Sequence, residues 1–525
     1  MAYSKELLKA FQYFSSGEIG KARSLLAQVR KGNNQDAATS ALLLAAIDLQ
    51  ERKYKHAIET LSKAHIQFKQ DHRILTQLSE IWMDLGDYEK AIELANRSLS
   101  IYPGNKVLRL NLASWIASRS SSPIEIKNLY ESWCHDYLDQ LVNETAERKF
   151  NHLLNDRVLK IGYVSGDFKN HAVRYFIEPY LKYHNKDSFE VHAFMTEDSD
   201  AVTETLKESI ENWHEMKGVS TFDFFQKIQT IGIHILVDLS GHTHGERLDV
   251  FSMRSAPVQI TWWGFMHTLG MREMDYRLTD HSFCPKSVDS HYTEKLWRMS
   301  CLTAYMPPVN CDALFESPWQ KNGYVTMVSI NHSRKVSDQI LLLWQRILQE
   351  NPSSTLIIVT MEKTPEAAQE LFRSRFEKIG MPMNRILAAP RLSMLEFMGI
   401  ASIADFSLDS FPISGGVTTF HSLWMGLPIL TLEPKEPIAL QAYTSNILKA
   451  LDLSECIAPD QNSYSSKASE WIQNPTKIVQ IRARCRAQLV ASSFMAYKSR
   501  VDELEDVYTE MWRNHVDDSN NYSTL

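Results

Sequence analysis

Four short stretches of this chain combine residue types that can do chemistry. The first is Ser414-Gly415-Gly416-Val417-Thr418-Thr419, directly after the strand-like Ala404–Asp409 and directly before a helical pattern. Its two glycines let backbone amides approach a ligand closely, and the unpaired amides of a helix start carry partial positive charge. With the hydroxyls of Thr418 and Thr419 beside them, such a site suits a phosphate or diphosphate. Capping of the helix by Ser414 or Thr418 is the plainer use of the same residues. The second stretch, Ser329-Ile330-Asn331-His332-Ser333-Arg334-Lys335-Val336, is again a strand end running into a helix start. Lys335 there can neutralise a phosphate as a point charge, or lie solvated on the surface.

The third stretch is Ser165-Gly166-Asp167-Phe168-Lys169-Asn170-His171, a strand exit through a Gly-Asp turn. It sets His171 at the edge of a cleft, where an imidazole can take a proton near neutral pH or serve structure alone. The fourth, Gly241-His242-Thr243-His244-Gly245, offers two imidazoles to a metal but no third ligand, so no metal site is assigned. Asp198-Ser199-Asp200 has the form of a metal-chelating pair, and its acidic surroundings equally suit a solvated turn.

Strand ends must hold these residues. Short β-branched and aromatic runs at Leu159–Val164, Phe189–Phe194, Ile233–Asp238 and Val258–Trp262 alternate with longer helical or polar segments. The same texture returns at Val325–Ile330, Thr355–Val359, Ile386–Ala388, Phe406–Leu408 and Pro428–Leu432. Strands alternating with crossovers predict parallel sheets covered by helices, here two doubly wound, Rossmann-like α/β domains in tandem (157–310 and 311–515). Their ligand cleft belongs at the carboxyl ends of the strands. After Pro437 the pattern is almost wholly helical to about Arg513, and 516–525 read as a disordered tail.

Ahead of both domains the chain repeats itself. Gly17-x-Ile19-x-x-Ala22, Lys53-Tyr54-x-x-Ala57 and Gly86-Asp87-Tyr88-x-x-Ala91 set their alanines 35 and then 34 residues apart. That period, with a small residue where paired helices touch, resembles tetratricopeptide repeats over 1–115, joined to the domains by a helical connector over 116–156. Stacked repeats form a curved surface suited to an extended peptide, so a protein partner is expected there.

The 525-residue chain carries a formal net charge of −7, which argues against a dedicated nucleic-acid binder. No apolar run approaches a bilayer span, so no membrane association and a cytoplasmic location are expected. Six cysteines are scattered without Cys-x-x-Cys spacing, which suits buried free thiols.

Six ordered blocks together carry a resemblance. Ser-Gly-Asp-Phe-x-x-His, Val-Asp-Leu-Ser-Gly-His-Thr-x-Gly-x-Arg, Arg-Ser-Ala-Pro-Val-Gln-Ile-Thr-Trp-Trp-Gly, Met-Asp-Tyr-Arg-Leu-Thr-Asp, Ser-Ile-Asn-His-x-x-Lys-Val and Leu-Asp-Ser-Phe-Pro-x-x-Gly-Gly-x-Thr-Thr, following such repeats, resemble the O-linked N-acetylglucosamine transferase and SPINDLY family, in a bacterial-type member. The resemblance implies a GT-B fold and an inverting, metal-independent transfer of a sugar from a nucleotide-sugar donor, UDP-linked by expectation, to protein Ser or Thr. No cofactor is implied. Carried over block by block, it makes His171 a candidate base and Lys335 the stabiliser of the departing diphosphate. Gly415, Gly416, Thr418 and Thr419 become the diphosphate cradle, and Asp167, His242 and His267 fall on the acceptor or sugar side. His332 replaces the usual glutamine or asparagine beside the lysine and can still donate to the diphosphate. His421 stands where relatives have an acid facing the ribose, and Phe397 where they have a histidine near the base. Gly264-Phe265-Met266-His267-Thr268 stands where they have Gly-Tyr-Pro-Gly-Thr. The alternative those changes keep open is a non-catalytic adaptor that binds a nucleotide and holds a partner on its repeats.

Overall fold

In a computed structural model the described residues are 3–31, 35–120, 122–139, 150, 157–308, 316–436 and 438–523. Eight helices open the chain: α1 (Lys5–Ser15), α2 (Ile19–Val29), α3 (Gln35–Gln50), α4 (Tyr54–Gln67), α5 (His72–Asp84), α6 (Tyr88–Ile101), α7 (Lys106–Ala117) and α8 (Pro123–Tyr137). They pair in sequence as hairpins. Ala22, Ala57 and Ala91 are all fully buried where partners meet, as the repeat period requires. The turns before them need a left-handed residue, supplied by Gly17 (φ 78°) and Gly86 (φ 80°). At the matching place in the middle repeat Arg52 adopts φ 60° instead. Its guanidinium secures this conformation by donating to the Tyr54 hydroxyl at 2.9 Å and pairing with Glu362 at 3.1 Å.

The hairpin of α7 and α8 extends the array beyond the three repeats legible in the sequence. It lacks the glycine turn and instead starts α8 with an Ser122 cap and Pro123 in the first turn. The connector expected over 116–156 is therefore, through Tyr137, a fourth hairpin. Its remainder at 140–149 and 151–156 lies outside the described residues, as does the expected domain boundary at 310–311.

The first sheet has β1 (Leu159–Ser165), β2 (Phe189–Met195), β3 (Asn212–Glu215), β4 (Ile235–Asp238), β5 (Val258–Thr261), β6 (Tyr276–Asp280) and β7 (Lys295–Met299) in the order β3-β2-β1-β4-β5-β6-β7. The second has β8 (Thr326–Ser329), β9 (Thr355–Val359), β10 (Ile386–Ala389), β11 (Phe406–Leu408), β12 (Ile429–Leu432) and β13 (Ile457–Ala458) in the order β10-β9-β8-β11-β12-β13. All the strand pairs are parallel. Strands β3, β6, β7 and β13 are absent from the sequence-based reading. β3 and β7 are edge strands with half-exposed faces, and β13 has only two residues, so none presents a continuous apolar run.

The last helix, Tyr497–Ser523, corrects the reading at two points. It continues through the segment expected to be a disordered tail, where no glycine or proline interrupts it. It also returns to the first lobe instead of completing the second. Tyr508 shares a 3.1 Å hydroxyl bond with Tyr163 of β1, and Glu505 meets the His184 ring at 3.0 Å. Among the described residues, no helix is long and apolar enough to cross a membrane.

Candidate active site

Strand order reverses between β8 and β11, so the loops leaving their carboxyl ends diverge and open a crevice. One loop carries Lys335 and the other Gly415 and Gly416. The two are tied by Lys335, whose Nζ donates to the Ser414 carbonyl at 2.8 Å. Beneath them lies Asp409, at 1 % exposure. One of its oxygens accepts from the Ser410 amide (2.9 Å), the Gly415 amide (2.8 Å) and Asn331 Nδ2 (2.9 Å); the other accepts from Thr431 Oγ1 (2.7 Å). Asn331 in turn accepts from Thr418 Oγ1 at 3.0 Å. Burial raises the Asp409 pKa and lowers that of Lys335, each partly offset by the other's charge. An arriving anion favours the charged lysine and so counters its desolvation.

The second sheet thus prepares a helix N-terminus that no side chain caps. Ser414 is turned away, its hydroxyl donating to the Leu440 carbonyl at 3.2 Å. Thr419 is fully buried and shares a 2.8 Å bond with Thr444, so it braces the loop, and Thr418 is the half-exposed threonine at the crevice. A Cβ at Gly415 would come within 2.5 Å of Thr419 Oγ1, whereas one at Gly416 would meet open space. The glycine at 415 therefore serves close packing, and that at 416 leaves room beside the amides. His332 accepts from the Arg334 amide through Nδ1 at 3.1 Å, which leaves the neutral ring its proton on Nε2. The residue still reaches the surface, but desolvation first, then the charges of Arg334 and Lys335, push its pKa down to about 4.

Asp409 is the residue that sequence reading passed over, although an acid closing the buried run Phe406–Leu408 is its signal. Asp409→Asn replaces an acceptor with an NH₂ donor among four donors. An expected loss of about 2–3 kcal/mol in unfolding free energy follows from the buried group left unpaired, and chemical denaturation measures it. A change within about 0.5 kcal/mol, the range of ordinary surface substitutions, would remove Asp409 from this role.

The first lobe builds its half by the same device. At the end of β4, Asp238 accepts from the Ser240 amide (3.0 Å), the Gly241 amide (2.9 Å) and Thr261 Oγ1 (2.9 Å). The neighbouring exit from β1 carries His171, whose Nδ1 lies 3.3 Å from Asp167 Oδ2. Asp167 is 8 % exposed and its pKa is raised by burial, an effect that His171 opposes. The His171 side chain is 45 % exposed and open to exchange protons. Asp200 steadies this turn by accepting the Asn170 amide at 2.9 Å while it caps the helix Ala201–Lys207. Asp198 pairs with Lys217, so the Asp-x-Asp stretch serves as a capped turn.

The helix that follows each loop brings the halves together. Arg174–Tyr183 starts three residues after His171, and Val417–Trp424 starts at the glycine loop. Phe176 meets Phe420 edge-on at 5.6 Å, and Tyr175 meets His421 edge-on at 4.8 Å. His421 is only 3 % exposed, with Nδ1 2.7 Å from the Tyr305 hydroxyl and the Phe397 ring 5.9 Å away. His242 and His267 are placed elsewhere than the resemblance implies. His242 is 5 % exposed, stacks on Tyr130 of α8 at 4.9 Å and meets the Leu269 carbonyl through Nε2 at 2.7 Å. His267 is 8 % exposed and stacks on the same tyrosine at 6.3 Å. Both lie in the seam between the last hairpin and the first lobe, because an aromatic helix face covers their loops.

Burial holds His242 and His267 down at about 4 and His421 at about 3. The unfolded chain protonates these rings near 6.5, whereas the folded protein does not until far lower pH. Their cost is therefore absent above about pH 7 and grows as pH falls toward 4. By linkage each removes up to about 2 kcal/mol at pH 5. The melting temperature is expected to drop steadily between pH 7 and 5 in a fluorimetric scan, and a flat profile would contradict neutral burial.

The family model described as glycosyl transferase family 41 matches residues 119–307 and 320–504, more than half of the chain. The chain is 29% identical over 374 residues to a protein of Solanum lycopersicum named probable UDP-N-acetylglucosamine–peptide N-acetylglucosaminyltransferase SPINDLY, covering 70% of this chain and 40% of that one. The Petunia hybrida protein of the same name is 30% identical over 369 residues, with 69% and 39% covered. The chain thus spans about two fifths of the length of these curated relatives. Among solved structures, a mutant of the Thermobaculum terrenum O-GlcNAc transferase superposes with a TM-score of 0.83 at 27% identity, covering 98% of both chains.

Proposed function

The chain belongs to glycosyltransferase family 41, and from that membership we propose that it is a protein O-glycosyltransferase. It moves a hexose, N-acetylglucosamine or another, from a nucleoside-diphosphate sugar, foremost a UDP-sugar, to a Ser or Thr hydroxyl. In the proposed reaction the acceptor oxygen attacks the anomeric carbon from the face opposite the leaving group, so configuration inverts. The C–O bond to the diphosphate breaks and its electron pair leaves with the phosphate oxygen. The hydroxyl proton passes to His171, directly or through a water, with the Asp167 carboxylate 3.3 Å from the ring to offset the positive charge it gains. Charge growing on the diphosphate is met by Lys335, by the Gly416 amide and the other uncapped amides at the start of the helix Val417–Trp424, and by the Thr418 hydroxyl once it turns from Asn331, with His332 Nε2–H as a further donor; the Gly415 amide, expected in this cradle from the sequence, is held by Asp409 instead. These groups supply the charge stabilisation that a metal provides in other transferases, and no metal is proposed.

The observation that carries this reading is the pairing of an uncapped helix start with the half-buried lysine, both fixed over Asp409. Calorimetry with UDP and GDP, followed by intact-mass analysis of an acceptor protein incubated with UDP-N-acetylglucosamine and other sugar nucleotides, tests it. Nucleotide binding with a hexose-sized mass gain is expected. Binding without mass gain under every donor would instead support an adaptor, the reading favoured by the deep burial of His421, where an acid is usual. Binding of neither nucleotide would overturn the donor site.

A further inference from the structure

The turn that carries Lys335 is held from outside its own lobe. Tyr88, the first residue of α6, donates its hydroxyl to the Arg334 carbonyl. Asp84, the last residue of α5, pairs with the Arg334 guanidinium, accepting from Nε at 2.8 Å. The Arg119 guanidinium lies 4.3 Å from the Tyr88 ring and closes its other side. Beyond Lys335, the Val336 carbonyl accepts from Arg375 Nη2 at 2.7 Å. That guanidinium presses on the turn between α5 and α6, where a Cβ at Gly86 would fall 2.5 Å from Nη1. The carbonyls immediately before and after Lys335 are thus both fixed by groups on, or packed against, one repeat turn. The middle repeat adds a separate clasp further along the lobe, where Arg52 and Tyr54 reach Glu362.

We infer that Tyr88 and Asp84 are positioning residues for sugar transfer, acting through the Arg334–Val336 turn to set Lys335 against the departing diphosphate. The inference rests on the transferase reading of that site. A lysine on a three-residue 3₁₀ turn has little structure of its own to aim it. Small displacements of a charge-stabilising group cost rate steeply, because the transition state must be met in one geometry. The repeats then do two things: they offer a surface to an acceptor, and they complete the donor site.

Tyr88→Phe and Asp84→Asn in the full chain, with Tyr54→Phe as a comparison that removes the hydroxyl's bonds to Arg52 and Glu362 and leaves the partners of the Arg334 turn in place, test this. With UDP-N-acetylglucosamine and a protein acceptor, Tyr88→Phe is expected to lower kcat about 5- to 20-fold, a fraction of the loss from removing a charge-stabilising donor outright. The acceptor KM stays within twofold, and Tyr54→Phe stays near wild type in both. Hydrogen exchange supplies a readout independent of turnover: amides of the Arg334–Val336 turn exchange faster in Tyr88→Phe and unchanged in Tyr54→Phe. Unaltered exchange at the turn, or a kcat within twofold of wild type, overturns the inference. So does an equal loss in both tyrosine variants that merely tracks melting temperature. A wild-type protein that transfers nothing, with the exchange difference intact, contradicts the transferase reading and leaves the clasp standing.

Discussion

Lys335→Met is expected to reduce sugar transfer by about 10²- to 10³-fold, the scale for losing one preorganised donor to a developing negative charge. Methionine keeps the length and most of the volume of the side chain, so the change falls on charge more than on packing. It also deletes the bond from Nζ to the Ser414 carbonyl, which links the loop after β8 to the loop after β11. The loss should appear chiefly in kcat, since the charge to be stabilised is greatest after the sugar bond has begun to break. UDP affinity should fall by a smaller factor, because the Gly416 amide, the other uncapped amides of the helix start and Thr418 remain. Steady-state kinetics beside UDP calorimetry separates the two effects. Unchanged turnover would remove Lys335 from the chemistry, whatever its burial.

His171→Ala should cost about 10²- to 10⁴-fold in kcat, the span for a general base. Nucleotide affinity should stay near wild type, since His171 stands on the first lobe and the nucleotide contacts proposed above are on the second. Asp167→Asn should give a smaller loss of the same kind, as the ring keeps its proton acceptor but loses the carboxylate that offsets its charge once protonated. A His171→Ala enzyme with full activity would assign the proton to another acceptor. A variant that instead lost UDP binding would place the residue in the donor pocket.

Much of this site was legible because strand-end loops announce themselves. The glycines at 415 and 416, the threonines after them and Lys335 stand at abrupt changes from a period of two to helical spacing. The parallel order of both sheets follows from the same alternation. What the sequence withheld were the partners. Thr418 and Thr419 are adjacent and chemically alike, yet one faces the crevice and the other is buried against Thr444, a distinction set by Leu440–Thr444 packing down on the loop. Asp409 looked like the end of a strand because its four donors are supplied by residues from 331 to 431. His242 and His267 looked like cleft residues because nothing in their own loops shows that α8 will cover them. The fourth hairpin was missed because its turn is made with proline and serine instead of glycine. The resemblance located residues on the chain, but the burial of His242, His267 and His421 depends on Tyr130 and Tyr305, each more than a hundred residues away.

The return of the last helix to the first lobe has a mechanical consequence. The chain passes between the lobes twice, and the two passages run side by side: the Tyr305 amide donates to the Phe494 carbonyl at 2.8 Å, and the Tyr497 hydroxyl donates to the Tyr305 carbonyl at 2.9 Å. Two adjacent passages, with the repeats packed on both lobes, hold the lobes together more firmly than a single linker would. Tyr305 lies where the two passages meet, and its hydroxyl meets the His421 ring, on the helix that opens at the glycine loop. The junction of the two passages and the helix behind the glycine loop therefore share one hydrogen bond, so the donor crevice is built against the seam where the chain joins its lobes.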